Sequence, residues 1–422
     1  MTRFAIQSFG CRVNQAEAFD WVSELQSRGL TFSEDVSGSD LVLINTCTLT
    51  NRADRDVRAF IRKVLRENPE IQLIITGCYA ERTWDKLFDH PRIRHVFPNA
   101  RKNELAAVVA DQFGGSPKDP GGDYRSRALV KIQDGCDLNC SFCVIPSVRG
   151  ESRSLPVTSI AEHVREVVGK GYFEVVLTGI HIGLYGRDLG LRSGLLDLIR
   201  ALEKIEGLWK IRLSSLDPRF LSDALLDHIT ASPLVCPHFH LSLQSGSDEV
   251  LKRMGRGNST ALYRRIMHRF REAAPDAALG ADLIVGFPGE TKDRFRETET
   301  FIKESPLTYF HVFSYSPRSG TPAAGWEPVD EKEKKRRSAV LRALSARRKL
   351  KFREKYIGRV LEGVVIKLEG EGSRILTTNY IDVRASTHPF PPKTPVRIKI
   401  TAAVRTGAEG VLLGEKGQGR TT

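Results

Sequence analysis

Short apolar runs alternate with stretches of helical spacing from the start of the chain to Ser314, and after that the rhythm changes. Phe4 to Phe9, Leu41 to Ile44 and Leu73 to Thr76 read as strands, with helical periodicity following in Ala16 to Leu25 and Val57 to Leu65. This predicts an α/β domain built on an open, doubly wound parallel sheet. Six more apolar runs follow: Ala128 to Ile132, Glu174 to Thr178, Lys210 to Ser214, His238 to Leu243, Leu279 to Val285 and Tyr309 to Ser314. Several are short and apolar throughout, as in a parallel sheet covered on both faces, and six repeats predict a partial (β/α)6 barrel. A basic segment from Glu331 to Arg353 carries Val340, Leu341, Leu344, Leu350 and Phe352 at helical spacing, which predicts an amphipathic helix with a cationic outer face. Residues 354 to 416 turn to short alternating runs between Gly and Pro turns, the pattern of a small antiparallel β-barrel. The Gly- and Pro-rich loop Gly114 to Asp123 reads as a linker, giving domains at 1–120, 124–352 and 353–418.

Length agrees with three domains, since 422 residues exceed one ordinary core at roughly 150 residues per domain. A formal net charge of +13 favours a polyanionic partner over an acidic protein or a neutral metabolite. No apolar run is long enough to span a bilayer, and MTRFAIQSFGCRVNQ lacks the basic and long apolar parts of an export signal, so the expectation is a cytoplasmic protein without a membrane role. Thiols stay reduced there, and clustered cysteines are read as metal ligands or redox groups.

Six of the seven cysteines form two sets of three. Cys136, Cys140 and Cys143 are spaced CxxxCxxC in the loop after the first barrel strand, where such barrels place their chemistry. Iron-sulfur clusters of the four-iron kind usually take one cysteine per iron, so three leave an iron open to a small molecule. Zinc commonly uses CxxC pairs and four ligands and fits poorly. Cys11, Cys47 and Cys78 each lie just past a strand of the first domain, and ligands of open sheets bind outside those carboxyl ends. The alternative is three independent buried cysteines.

The CxxxCxxC run resembles the signature of radical S-adenosylmethionine enzymes. Together with Cys11, Cys47, Cys78 and a terminal small barrel, it makes the whole chain similar to the methylthiotransferases of that superfamily. LTGIHIGLYG (Leu177 to Gly186), HLSLQSGSD (His240 to Asp248), KRMGR (Lys252 to Arg256), DLIVGFPGET (Asp282 to Thr291) and FSYSPRSGTP (Phe313 to Pro322) extend the likeness. GCRVNQAE (Gly10 to Glu17) and NTCTLTNRAD (Asn45 to Asp54) resemble the branch acting on N6-threonylcarbamoyladenosine at position 37 of tRNA. The resemblance implies two 4Fe-4S clusters on three cysteines each, S-adenosylmethionine, a TRAM-type RNA-binding barrel, a tRNA anticodon loop as substrate, and a reductant such as a flavodoxin or ferredoxin. It further implies that the open iron beside Cys136, Cys140 and Cys143 binds S-adenosylmethionine and reduces it to a 5′-deoxyadenosyl radical. The cluster on Cys11, Cys47 and Cys78 would hold the sulfur that is methylated and transferred to adenine C2. Isopentenyladenosine in tRNA and a ribosomal-protein aspartate are alternative substrates, and a non-catalytic iron-sulfur RNA-binding redox sensor is the alternative from another class.

Other candidates follow from position. Gly179, Gly183, Gly286 and Gly289 would let backbone approach the cofactor, or serve as turn glycines. Ser214, Gln244 and Ser245 stand at strand ends and would hydrogen-bond it. Arg149 and Arg153 could take a carboxylate or phosphate, although arginine is more often a surface residue. Cys236 reads as structural, and His238 and His240 as packing groups rather than metal ligands. Lys334, Lys335, Arg336 and Arg337 in the basic helix, and Tyr380, Arg384, Arg397 and Lys399 in the last barrel, are candidate RNA contacts.

Overall fold

The computed structural model describes residues 2–87, 90–114, 123–387 and 389–415, so most of the expected linker, 115–122, lies outside the described residues. The chain groups into two compact units. One comprises Met1–Arg125, Asp134–Ser152 and Ser316–Ala324, and the other Ser126–Gln133, Arg153–Tyr315 and Gly325–Thr422.

In the first unit, strands β1 (Arg3–Ser8), β2 (Thr31–Phe32), β3 (Leu41–Thr46), β4 (Gln72–Gly77) and β5 (Ile93–Phe97) form a parallel sheet in the order β2-β1-β3-β4-β5. Alternation along each strand decides its two faces. Phe4, Ile6, Leu41, Leu43 and Ile74 pack with Trp21, Val22 and Leu25 of helix α1 (Arg12–Ser27). Ala5, Val42, Ile44, Leu73 and Ile75 pack with Val57, Ile61 and Val64 of helix α2 (Asn51–Glu67). The sheet is therefore doubly wound. Its strand order reverses between β1 and β3, the place where such sheets open a ligand crevice. Helix α2 starts where Thr50 Oγ1 accepts the Ala53 N–H at 3.1 Å, and helix α3 (Cys78–Leu87) begins directly at the end of β4.

The second unit carries the six anticipated strands as two parallel sets. β6 (Ala128–Asp134), β8 (Glu174–Gly179) and β9 (Lys210–Leu213) form one, with the short β7 (Arg153–Ser154) at its edge. β10 (His238–Gln244), β11 (Ala278–Val285) and β12 (Tyr309–Ser314) form the other. Parallel bridges Ile211 to Val235 and Leu216 to Leu241 join the sets. A long helix, Glu331–Glu354, follows. The chain then forms a closed barrel of β13 (Val360–Glu369), β14 (Gly372–Thr377), β15 (Asp382–Ala385), β16 (Pro395–Val404) and β17 (Gly407–Glu415). The barrel is antiparallel except for β15 against β17, a parallel pair that corrects the all-antiparallel expectation. Glycine and polar residues interrupt the alternation of β14 and β17.

Candidate active site

Both cysteine triads belong to the first unit. Cys11 occupies the cap position of α1, Cys47 follows β3 and Cys78 opens α3, so three adjacent strands deliver three cysteines to one edge of the sheet. Gly10, at φ +88°, has its missing Cβ aimed at the Cys47 side chain, and any larger residue would overlap the sulfur. The second triad sits in the loop beyond β6. Gly135, at φ +68°, turns the chain there against the Glu151 carbonyl, and the Cys136 N–H donates to the Gly150 carbonyl at 3.0 Å. The Cys143 N–H donates to the Cys140 carbonyl at 3.0 Å, and Ala323 braces the loop through the Ser141 carbonyl at 2.8 Å. All seven cysteines are free thiols.

Arg149, the last residue of the five-residue helix α4 (Ile145–Arg149), ties this loop to the first triad. Its Nε donates to Cys78 Sγ at 3.3 Å, Nη1 to Asp134 at 2.8 Å and to Glu17 Oε1 at 3.0 Å, and Nη2 to Asn14 Oδ1 at 2.6 Å. Its side chain is 0% exposed. Glu17 Oε2 also accepts from Lys102 Nζ at 2.6 Å and from Asn45 Nδ2 at 2.9 Å. Asn14 Nδ2 donates to the Phe9 and Thr46 carbonyls, each at 2.9 Å, and Asn14 Oδ1 accepts from the Cys11 thiol at 3.7 Å. Two cations and two carboxylates thus balance in the interior beside the cysteines. Burial would lower the arginine's pKa, but Glu17, Cys78, Asp134 and Cys11 outweigh it and hold the guanidinium charged. Burial pushes the Cys11 thiol up, against the pull of Arg149, and raises Cys47 to about 12. Both are held as neutral thiols, so a metal bound there would have to displace their protons.

A second network joins two more of the sequence segments. Arg318 Nη1 donates to Asn51 Oδ1 at 2.6 Å, and Nη2 donates to Asp54 Oδ2 at 2.7 Å and to Thr48. Asn14, Glu17, Asn45, Asn51 and Asp54 lay inside the quoted segments, but their roles were invisible there. Lys102 and Asp134 carried no sequence signal.

Structural zinc commonly takes four ligands in a closed tetrahedron, and each triad offers three cysteines. A cluster distributes its thiolates over separate irons, so the donor sets fit it better than one ion.

The remaining candidates lie in the second unit. Ser214 follows β9 with its side chain buried, and Gln244 ends β10 at φ +70°. Ser245 is committed elsewhere: its hydroxyl meets Thr298 Oγ1 at 3.2 Å and accepts the Ser247 N–H. A Cβ at Gly286 would overlap Lys334, one at Gly289 would meet Arg253, one at Gly183 would crowd Phe220, and one at Gly179 would crowd Gln133. These four glycines thus admit neighbouring protein on the side where a Cβ would stand. The Gly286 N–H is held at 2.6 Å by Glu290, itself bound to Arg337 at 2.7 Å. Arg337 and Lys334 are consequently buried, so the cationic outer face of the long helix retains only Lys335 and Arg336 of the four proposed contacts. Tyr380 stacks on His238 at 3.9 Å, which removes that ring face from RNA stacking. His238 Nε2 meets the Tyr309 hydroxyl at 2.6 Å. His240 does more than pack: Nδ1 meets Ser215 Oγ at 2.8 Å, and it forms with Asp282 and His311 a group whose ligand atoms lie within 4.8 Å. Cys236 is fully buried and Arg153 exposed. A residue unforeseen in the sequence, Asp217, gathers Arg219 and Arg256, each at 2.7 Å, and its carboxyl is held well below the usual range by His181 and these arginines despite burial.

Comparison with known proteins agrees with this architecture. Residues 130–302 match the Radical SAM superfamily, and residues 3–98 match the family described as Uncharacterized protein family UPF0004. The threonylcarbamoyladenosine tRNA methylthiotransferase MtaB of Aquifex aeolicus (strain VF5) is 35% identical over 90% of this chain and 96% of its own length. The MtaB of Rickettsia prowazekii (strain Madrid E) is 36% identical over 90% of this chain and 91% of its own. Among solved structures, the radical S-adenosylmethionine methyltransferase TsrM from Kitasatospora setae shares the fold, with a TM-score of 0.55 at 13% identity over 77% of this chain and 75% of that one. Relatives this similar, aligned over nearly their whole length, place the chain in the radical S-adenosylmethionine methylthiotransferase family, among enzymes of the MtaB type.

Proposed function

We propose that the protein adds a methylthio group to C2 of N6-threonylcarbamoyladenosine at position 37 of tRNA, giving 2-methylthio-N6-threonylcarbamoyladenosine. The observation that carries this reading is the use made of the branch-type segments: Asn14, Glu17 and Asn45 build the buried network that Arg149 closes onto Cys78. Membership of the family implies S-adenosylmethionine and a 4Fe-4S cluster, for which Cys136, Cys140 and Cys143 are the ligands; Cys11, Cys47 and Cys78 would hold a second. When bound, these groups supply the radical chemistry that an adenine C–H demands, since that bond is neither acidic nor open to displacement. The chain's own work is positional. Three strand ends hold three thiols in fixed directions, Arg149 sets a permanent positive charge beside Cys78, and burial keeps water from Cys47 and Cys78. Ser214 and Gln244 are the strand-end groups left to orient S-adenosylmethionine. Net positive charge suits an anticodon loop in the cytoplasm, with a flavodoxin or ferredoxin as electron source.

Nucleoside mass spectrometry on tRNA from cells lacking the gene, with and without its restoration, tests the reaction. Loss and return of the methylthiolated nucleoside is expected; an unchanged level overturns the substrate. Iron and sulfide assays on each triple-cysteine variant test the clusters independently of activity, each variant losing about four irons.

A further inference from the structure

The second unit contains a cavity of about 290 Å³ that the proposed chemistry does not use. It opens beside Ala278 and Tyr309, the first residues of β11 and β12, whereas Ser214 and Gln244 stand at the opposite, carboxyl ends of the strands. The eight residues of β11 span about 23 Å at ~3.3 Å each, so the two ends cannot share one small ligand.

Its walls differ in chemistry. The long helix contributes Lys349 and Arg353, while β12 and the turn before β15 contribute the rings of Tyr309, His311 and Tyr380. Lys349 lies over the Tyr309 ring at 5.6 Å, and neither it nor Arg353 has an ion-pair partner among the described residues. Arg353 donates to the Val404 and Arg405 carbonyls at 3.0 and 3.1 Å, which orients the guanidinium without neutralising it. The lone acid of the lining, Asp382, is clamped by Arg374 at 2.8 Å. Desolvation disfavours the charged forms of both Lys349 and Arg353; the neighbouring Arg353 lowers Lys349 further, while Asp382 offsets part of the burial of Arg353. Tyr380 is held at φ +69°, a left-handed conformation that non-glycine residues rarely adopt. The two cations outnumber the one carboxylate beside them, which Arg374 already holds, so the pair calls for an anion, and the neighbouring rings suit a planar group. The volume accepts one such unit and not two, lying at the small end of ligand sites, roughly 300–1,000 Å³.

We infer that this cavity binds one phosphorylated nucleotide, its phosphate on Lys349 and Arg353 and its base against the Tyr309, His311 and Tyr380 rings. The nucleotide is either free or one unit of an RNA chain, and the test separates these sources. Calorimetric titration of the full-length protein with AMP, adenosine and inorganic phosphate is run with S-adenosylhomocysteine saturating, so that the S-adenosylmethionine site is blocked. A parallel titration uses an anticodon stem-loop RNA. Lys349→Gln removes the cation, and Thr406→Trp, at an exposed turn on the cavity rim, fills the space. Thermal melting verifies that both variants fold. For a free nucleotide, AMP binds, adenosine and phosphate bind at least about tenfold more weakly, and each variant weakens AMP by about tenfold or more. For a nucleotide within RNA, AMP fails to bind while both variants weaken the stem-loop by that factor. Binding of AMP and of RNA that is unchanged in both folded variants overturns the inference.

Discussion

Two arginines are wholly buried near a cysteine, Arg149 in the first unit and Arg212 in the second, and their surroundings divide a reactive region from an architectural one. Arg212 donates to Glu174 at 2.7 and 3.3 Å and to the Thr377 and Thr378 carbonyls at 3.2 and 3.1 Å, so every bond ends on a fixed oxygen of the scaffold. Its neighbour Cys236 is pushed to about 12 by burial, which Arg212 only partly opposes. Arg149 spends one nitrogen on a thiol that stands at the end of a strand with two other cysteines beside it. Both cations are compensated. What distinguishes them is whether the compensating partners include a ligand that chemistry can recruit.

The largest effect separating the regions is expected at the second triad. Cys140→Ala should abolish product in an anaerobic single-turnover assay and remove about four irons, leaving iron on the other triad; residual turnover above background would break the assignment. Next, Arg149→Met should destabilise the metal-free protein by about 3–5 kcal/mol in denaturant unfolding, because Glu17 and Asp134 lose a buried partner. In a background lacking Cys136, Cys140 and Cys143 it should also reduce iron retention, which a purely structural arginine would not do. Arg212→Met should cost less, about 1–3 kcal/mol, since Glu174 keeps Arg127 at 3.4 Å, and it should leave iron on both triads unchanged. Equal stability losses would erase the distinction.

The smallest expected effect is on pH dependence. Cys47 and Cys236 have folded pKa values raised from 9.0 to about 12. Such a group contributes stability that is complete below the unfolded value near pH 9 and is lost as pH rises toward 12. The melting temperature of the metal-free protein should therefore fall across that window, and less steeply in Cys236→Ala. Iron loading should move oppositely, strengthening as pH rises, because the ligating thiols must give up protons.

Much of this protein is written in local pattern. The apolar runs Phe4 to Phe9 and Leu41 to Ile44 marked strands of a doubly wound sheet because a strand covered on both faces needs apolar side chains at successive positions. CxxxCxxC spacing marked a candidate metal-binding loop because its three cysteines are already neighbours in the chain. The three strand-end cysteines were legible as well, since a parallel doubly wound sheet brings successive carboxyl ends together. Contacts across long stretches of chain were not. Nothing near Arg149 in the sequence points to Glu17 or Asn14, and a basic run containing Lys334 and Arg337 resembles a solvated face until the turn from Gly286 to Glu290 covers it. Spacing thus determined which residues could be ligands and which elements would carry them; only the folded chain decided which charges are buried against one another, because desolvation and ion pairing depend on neighbours that meet in space and not in sequence.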